Sequence, residues 1–339
     1  MNTVTAVNQR PCHPPRHQPR RQPHCGAARQ RGAALLTAMV IVTLIVTLAS
    51  AMVWQQWRAV QVETAERARA QSAWILSGAL DWARLILKED LRSGRPTALT
   101  EPWATPLAEA RLSTFLAADK SNADDGPEAF LSGSISDAQG RYNLTNLAPA
   151  GGKVDALEQA ALERLCLAIG LESSVVQRIA NGMRDAGATG AASGATANAP
   201  LLPQSVAQLA WFGLDDATIK ALEPYVVLLH EPTQVNVNTA PREVLVGAIK
   251  GLDLATAERL LQVRQRAPFS GIEKLKEQFP GLDLANARLS FTSSYFEVRG
   301  RIRLGERVLV ERSLVHRLPN GQVDVMRRER IASLDQAGG

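Results

Sequence analysis

Beyond its first 32 residues the chain has one cysteine, Cys166, and two histidines, His230 and His316. A single thiol cannot close an internal disulfide. Within Leu162-Glu163-Arg164-Leu165-Cys166-Leu167 it reads as a small core residue. Neither histidine stands in a nucleophile or metal motif, and His316, beside Val315, has the period-2 position of a strand surface residue. GxSxG, HExxH and P-loop patterns are all missing from the sequence. These absences argue against a hydrolase, a zinc protease or a nucleotide-binding enzyme, and the expectation is that the chain is not an enzyme.

Charge is also missing in places. The formal net charge is +5, yet residues 1–32 hold Arg10, Arg16, Arg20, Arg21, Arg29 and Arg31 with no acid, so the rest is close to neutral. Basicity therefore belongs to the leader and gives no argument for nucleic acid. Cys12, Cys25, His13, His17 and His24 share that leader without a CxxC spacing, and it reads as a Pro/Arg/Gln tail rather than a metal site. From Gly32 to Trp57 there is no charged side chain at all.

That uncharged run is long. Ala33 to Trp54 is 22 residues, mainly Leu, Val, Ile, Ala, Met and Thr, or about 33 Å of helix, which matches a hydrocarbon core of about 30 Å. A secretory signal would have a shorter apolar stretch of about 7–15 residues before a small-residue cleavage site. The arginines ahead of the run hold the N-terminus in the cytoplasm and place the body across the membrane. Trp54 and Trp57 fall where an interfacial aromatic belt belongs. The expected division is a leader over 1–32, a transmembrane helix over 33–57, and a body beyond.

The helix is expected to continue. Arg58 to Leu91 contains no proline and only Gly78, with Trp74, Leu76, Leu80, Trp82, Leu85, Ile86 and Leu87 among charged residues. Ser93-Gly94-Arg95-Pro96 is the stop signal. A helix from 33 to about 92 would be about 90 Å long.

Arg31-Gly32 followed directly by an uncharged helix resembles the type IV prepilin signal. The resemblance implies cleavage after Gly32 by prepilin peptidase and methylation of the new N-terminus, Ala33. The usual family member has Glu at the fifth mature position, where this chain has Thr37. A charge at that depth costs about 2.5–3.5 kcal/mol, so it is kept where it neutralises a neighbour's N-terminal amine. Thr37 instead resembles the K-type minor pseudopilins of type II secretion and implies placement at the filament tip, where there is no subunit above. Helix packing would run through Leu35 to Ile45.

In the body, Pro96, Pro102 and Pro106 mark a connection, Ala108–Ala118 reads as a short helix, and Asp119–Glu128 as an acidic surface loop. Phe130 to Leu144 reads as a hairpin about Asp137-Ala138-Gln139-Gly140. Asp137, Gly140, Arg141, Asn143, Leu144 and Asn146 resemble the D-x-x-G-R-x-N-L signature of the K-type family, and Asp and Asn there suit turn backbone groups better than a catalytic pair. Residues 154–290 are helical in pattern, with Leu157, Ala161, Leu165 and Ile169 on one helix that ends at Gly170. Asp185 opens a small-residue loop through Ala199. The family carries an acidic calcium cluster there. Calcium needs six to eight oxygens, and Asp185 is the only acid between Arg184 and Trp211, so no cofactor is expected and calcium is not assigned.

Asn236-Val237-Asn238-Thr239-Ala240-Pro241, with Leu260-Leu261, Arg264 and Pro268-Phe269 downstream, resembles both the K-type insert and the helix-hairpin-helix modules of competence DNA receptors. A DNA-binding hairpin needs two glycines around a hydrophobic residue so that backbone N–H groups reach a phosphate. Here the turn is Gly251-Leu252-Asp253, and its aspartate would repel one. Lys250, Arg259, Arg264 and Arg266 could form a weak basic stripe or a solvated face. No nucleic acid is expected, and a membrane-anchored DNA receptor is the rival reading. Tyr295–Arg303, Val308–Arg317 and Val323–Val325 read as an antiparallel meander.

The resemblance implies an α+β, pilin-like protein: a long N-terminal helix packed on an antiparallel sheet, split into 58–153 and 291–339 by a large all-α insertion over 154–290. It further implies a minor pseudopilin in the inner membrane with a periplasmic body, partnered by I- and J-type minor pseudopilins, capping the pseudopilus and helping to start its assembly for protein export.

Overall fold

The computed structural model describes residues 31–112, 128–148, 153–189, 200–305 and 307–331. Helix α1 runs unbroken over Arg31–Arg92, 62 residues, and stops at Gly94, whose φ of 66° suits a residue without Cβ. The chain divides into two units, one ending at Ala65 and one beginning at Glu66. In the first, the large apolar side chains of α1 from Leu35 to Trp57 are all exposed.

The second unit starts with the rest of α1. Its buried face is Ser72, Leu76, Leu80, Ala83 and Leu87, spaced four or three apart, while Trp74, Trp82 and Leu85 point outward. The buried stripe packs on a five-stranded antiparallel sheet of order β1-β2-β7-β8-β9: β1 (Leu107–Arg111), β2 (Ala129–Asp137), β7 (Tyr295–Leu304), β8 (Arg307–Arg317) and β9 (Val323–Ile331). Leu80 and Leu87 meet Trp103, Phe296, Val298 and Val315, and Leu76 meets Leu131 and Ile302. Trp103 stands edge-on to Phe296 at 5.3 Å. Each fully buried leucine contributes roughly 1.5–3 kcal/mol. A Cβ on Gly300 would come within 2.9 Å of Leu76 Cδ2, so this glycine lets the helix approach the strand.

Strands β2 and β7 pair along their length, Ala129 opposite Leu304 and Asp137 opposite Phe296, although more than 150 residues separate them in the chain. Between them lies a helical insert: α2 (Ala156–Ala168), α3 (Ser173–Thr189), α4 (Asp216–Leu222), α5 (Arg242–Ala248), α6 (Leu254–Arg266) and α7 (Ile272–Gln278). Two-residue parallel pairs sit among the helices. They are β3 (Tyr142–Asn143) with β4 (Val226–Val227), and β5 (Val235–Asn236) with β6 (Leu289–Ser290). The architecture is α+β, a long helix on an antiparallel sheet with additional helices.

Three local expectations need correction. Leu107–Arg111 is the edge strand β1, not the start of a helix, because its backbone pairs with β2 and Glu109 binds Arg301 and Arg303 at 2.8 and 2.7 Å; residues 113–127, with most of the acidic loop, lie outside the described residues. There is no 130–144 hairpin. The Asp137 carboxylate accepts from Gln139 N at 2.8 Å and starts a 3-10 turn, which leads the chain out of the sheet, so β3 pairs in parallel with β4 instead. Finally, α3 runs through Ala186 to Thr189, with Ala186 buried, where a loop was expected from Ala186; residues 190–199 lie outside the described residues. On α2 the buried stripe is Ala161, Leu162, Leu165 and Cys166, and Leu157 is exposed.

Candidate functional site: the joint between sheet and insert

The motifs singled out in the sequence converge where the insert leaves and re-enters the sheet. Asp137 ends β2, and Asn236 ends β5. Asn236 Nδ2 reaches Asp137 Oδ2 at 2.9 Å, Ser293 Oγ at 2.9 Å and Thr97 O at 3.0 Å, while its Oδ1 accepts from Asn238 N at 3.0 Å. Asn236 is wholly buried. Asp137 Oδ2 also accepts from Ser293 Oγ at 2.5 Å and Thr239 Oγ1 at 2.6 Å. Burial pushes the Asp137 carboxyl up from its ordinary value, against hydrogen bonds from Ser293, Thr239, Asn236 and Gln139 N that pull it down. The four donors lie on three stretches of chain, so one carboxylate ties the end of β2, the asparagine motif and the entry to β7 together. Gly140 belongs to the same contact, since a Cβ there would sit 3.0 Å from Thr239 Oγ1.

Asn238 uses its amide on a third segment. Nδ2 donates to Phe269 O and Oδ1 accepts from Phe269 N, both at 2.9 Å. Arg264 is buried, and its Nη1 donates to Val237 O and Ala240 O at 2.6 Å each. Burial lowers its guanidinium to about 10, still a cation at neutral pH. Arg264 is therefore not part of a basic stripe; Arg259 and Arg266 are exposed but Arg264 clamps the asparagine turn.

The first motif is spent in the same way. Asn143 Oδ1 accepts from Thr145 N and Leu229 N at 3.1 and 3.2 Å, and its Nδ2 donates to Glu231 O at 2.7 Å. Asn146 exchanges two hydrogen bonds with the backbone of Thr233 at 2.8 and 2.9 Å. Arg141 pairs with Glu297 of β7 at 2.8 Å. Two further residues escaped sequence reasoning. Gln139 donates to Gln234 O and accepts from Ser294 N. Arg317, buried on β8, binds Leu87 O and Asp90 at the end of α1, and Thr97 Oγ1 and Ser293 O at the joint. An arginine written between strand residues gives no sign that it points inward.

The hairpin turn was the other candidate. Between α5 and α6, Gly251 takes φ 78° and Leu252 is buried. Asp253 caps α6, its carboxylate accepting from Thr256 N at 2.8 Å and Thr256 Oγ1 at 2.9 Å, and those bonds hold it below the usual aspartate range. The helix N-terminus at which a phosphate would bind thus already holds a negative charge.

On α1, Thr37 Oγ1 donates back to Ala33 O at 3.1 Å and Ala34 O at 3.0 Å, so its hydroxyl is satisfied within its own helix. Gly32 and Ala33 fall in the first turn of α1.

Comparison with known proteins places this geometry. Residues 140–231 and 235–298, which include both asparagine motifs, match the family described as type II secretion system (T2SS), protein K. A type II secretion system protein K of Klebsiella pneumoniae is 31% identical over 320 residues, 84% of this chain and 93% of that protein. Its counterpart in Pseudomonas aeruginosa is 27% identical over 325 residues, 88% and 92% of the two chains. In fold the chain is similar to one in the crystal structure of the GspK–GspI–GspJ complex from enterotoxigenic Escherichia coli, with TM-score 0.58, 18% identity, and coverage of 79% of this chain and 99% of that one. A long helix on an antiparallel sheet, a helical insert locked at one buried joint and relatedness over most of its length together make this chain a member of the type II secretion system protein K family, the K-type minor pseudopilins.

Proposed function

We propose that this minor pseudopilin caps the tip of the periplasmic pseudopilus and helps to start its assembly for protein export. The observation that carries the reading is the insert. It enters and leaves at the Asp137 end of β2 and the Tyr295 end of β7, beside the C-terminal end of α1, where Arg317 binds Leu87 O and Asp90. In a filament whose N-terminal helices pack side by side, a body of that size at that end occupies the space the next subunit would fill. Such a subunit ends a stack and has nothing above it.

Thr37 fits this place. A tip subunit meets no N-terminal amine from above, so a carboxylate there would carry its insertion cost without a partner. Prepilin peptidase would cut between Gly32 and Ala33, leaving α1 as a single inner-membrane anchor, the exposed Leu35 to Ile45 surface as the helix-packing face, and the body in the periplasm. The GspK–GspI–GspJ assembly of the structural relative supports I- and J-type minor pseudopilins as partners.

The role is structural, not enzymatic. The polar side chains of the joint are engaged with other protein groups, and the proposed role calls on neither calcium nor nucleic acid: Asp185 is the only acid between Arg184 and Trp211, and Asp253 fills the hairpin turn. The test is to mix the purified full chain, in detergent, with the I- and J-type subunits of the same bacterium. A discrete complex with one copy of each, and no copolymer with the major pseudopilin, is expected. Growth of this chain into long homopolymers would overturn the tip assignment.

A further inference from the structure

The insert contains a half-buried arginine that forms no ion pair among the described residues. Arg141 has Glu297, Arg317 has Asp90, and Arg312 has Glu223, Glu297 and Glu329. Arg164 on α2 has only a carbonyl: Nε and Nη2 both donate to Gly247 O, at 3.1 and 2.7 Å. These two hydrogen bonds to one oxygen fix the guanidinium plane and leave Nη1 without an acceptor among the described residues. Its neighbour Glu163 accepts from Gln159 instead. Burial lowers the Arg164 value from its ordinary one, against the nearby Tyr142, Glu163 and Glu158, which raise it.

Beside Arg164 lies a cleft of about 210 Å³ between α2, β5, the turn after α5 and residues 283–288. Lys250 lines it too, exposed and forming no ion pair among the described residues; it faces Asp283 only through a backbone bridge. Two acids line the cleft. Glu158 accepts from Tyr142 Oη at 2.8 Å and from Arg288 Nε at 3.1 Å, and Asp283 accepts from Ala285 N at 3.3 Å. Arg288 is itself held by Asp155 at 2.6 Å. Of the charged groups lining the cavity, Glu158 and Arg288 are paired with each other, and the two cations Arg164 and Lys250 outnumber the one remaining acid, the exposed Asp283. The volume lies below that of ordinary cofactor or drug pockets, about 300–1,000 Å³, and accepts a single side chain.

We propose that this cleft binds the carboxylate of an acidic residue, or of a C-terminus, presented by another polypeptide chain. A planar carboxylate suits an arginine whose plane is already fixed, and the lysine adds a point charge at the mouth. Neither Asp137 nor Asn236 lines this cleft, although Val235 beside Asn236 does, and the proposal stands whether or not the subunit sits at the tip.

The test is fluorescence anisotropy with the full chain in neutral detergent and a rhodamine-labelled, capped hexapeptide containing Asp-Glu, against the same peptide with Asn-Gln. The acidic peptide is expected to bind at least tenfold more tightly, with affinity falling as salt rises. Lys250→Gln, an exposed change, is expected to reduce acidic-peptide binding about tenfold without moving the melting temperature, whereas Arg259→Gln, off the cleft, leaves it unchanged. Arg164→Met is expected to abolish binding, but it also removes the Gly247 anchor, so Lys250→Gln decides. Equal binding of the two peptides, no binding, or equal effects of Lys250→Gln and Arg259→Gln would overturn the proposal. Competition separates the sources: displacement only by acetate or sulfate in large excess supports a peptide ligand, and displacement at concentrations matching the peptide reduces the cleft to a simple anion site.

Discussion

Asn236 and Asp137, 99 residues apart in the chain, are both buried and hydrogen-bonded to each other at 2.9 Å. A buried amide and a buried carboxylate are each costly alone and inexpensive together. The pair therefore fixes where the insert re-enters the sheet as well as adding stability.

Removing the amide should be severe. Asn236→Ala strips a donor from Asp137 and leaves Asn238 N without an acceptor. A loss of about 2–4 kcal/mol is expected, read as an earlier urea midpoint in the fluorescence of the full chain. Asn236→Asp should be worse at neutral pH, because it sets a second carboxylate against Asp137, and the deficit should shrink as the pH falls.

Glu101 gives a pH prediction of definite sign. Its Oε2 accepts from Trp103 Nε1 at 2.9 Å and Ala98 N at 3.1 Å, while its Oε1 and Asp90 Oδ1 are buried without hydrogen-bond partners among the described residues. Burial first, and then the neighbouring Asp90 charge, raise the Glu101 carboxyl above 4.5. A carboxyl raised in the folded state favours folding most below its unfolded value, and that advantage is lost as pH rises through the folded one. Glu101→Gln keeps the acceptor for Trp103 and offers Asp90 an N–H. It should stabilise the chain by about 1 kcal/mol at neutral pH, and the gain should vanish toward pH 4.5. Thermal melts of both chains across that range decide it; a glutamine variant weaker at every pH would contradict this account.

Gly247 should tolerate no side chain. A Cβ there would lie 2.9 Å from Leu165 Cβ and 3.0 Å from Ala161 O, both in the tightly packed α2. Gly247→Ala is expected to cost about 1–3 kcal/mol through overpacking, visible in the same urea titration. By contrast Gly281→Ala, with open space at its Cβ, should be close to neutral.

Cys166 should be inert while the chain is folded. It is 1% exposed, and burial moves its thiol up to about 11. N-ethylmaleimide at pH 8, followed by peptide-resolved mass spectrometry, should leave Cys166 unlabelled in the folded chain and label it fully in urea.

The parts of this fold that were legible in the sequence are those written in local patterns. The uncharged run and the proline-free stretch up to Ser93-Gly94 specify α1, and period-2 alternation specifies β7, β8 and β9. Pairings made at long range were not legible. Leu107–Arg111 has no strand signature of its own and becomes a strand because β2 and the arginines of β7 lie beside it. The β2–β3 region looked like a hairpin because Asp137-Ala138-Gln139-Gly140 is good turn chemistry. Nothing local says that the segment after the turn pairs with Val226–Val227. The same limit applies at the joint. The asparagines and Phe269 could be picked out by their motif, but the partners Thr97 and Ser293 could not, and Arg264 and Arg317 look like surface charges until folding encloses them.

Under the proposed function this chain is made as a prepilin and matured into a membrane-anchored subunit beginning at Ala33. The direct measurement is the intact mass and N-terminal peptide of the protein purified from cells with and without prepilin peptidase. A chain starting at methylated Ala33, seen only when the peptidase is present, is the predicted result. An intact leader in both strains, or a cut beyond Ser50, would contradict it.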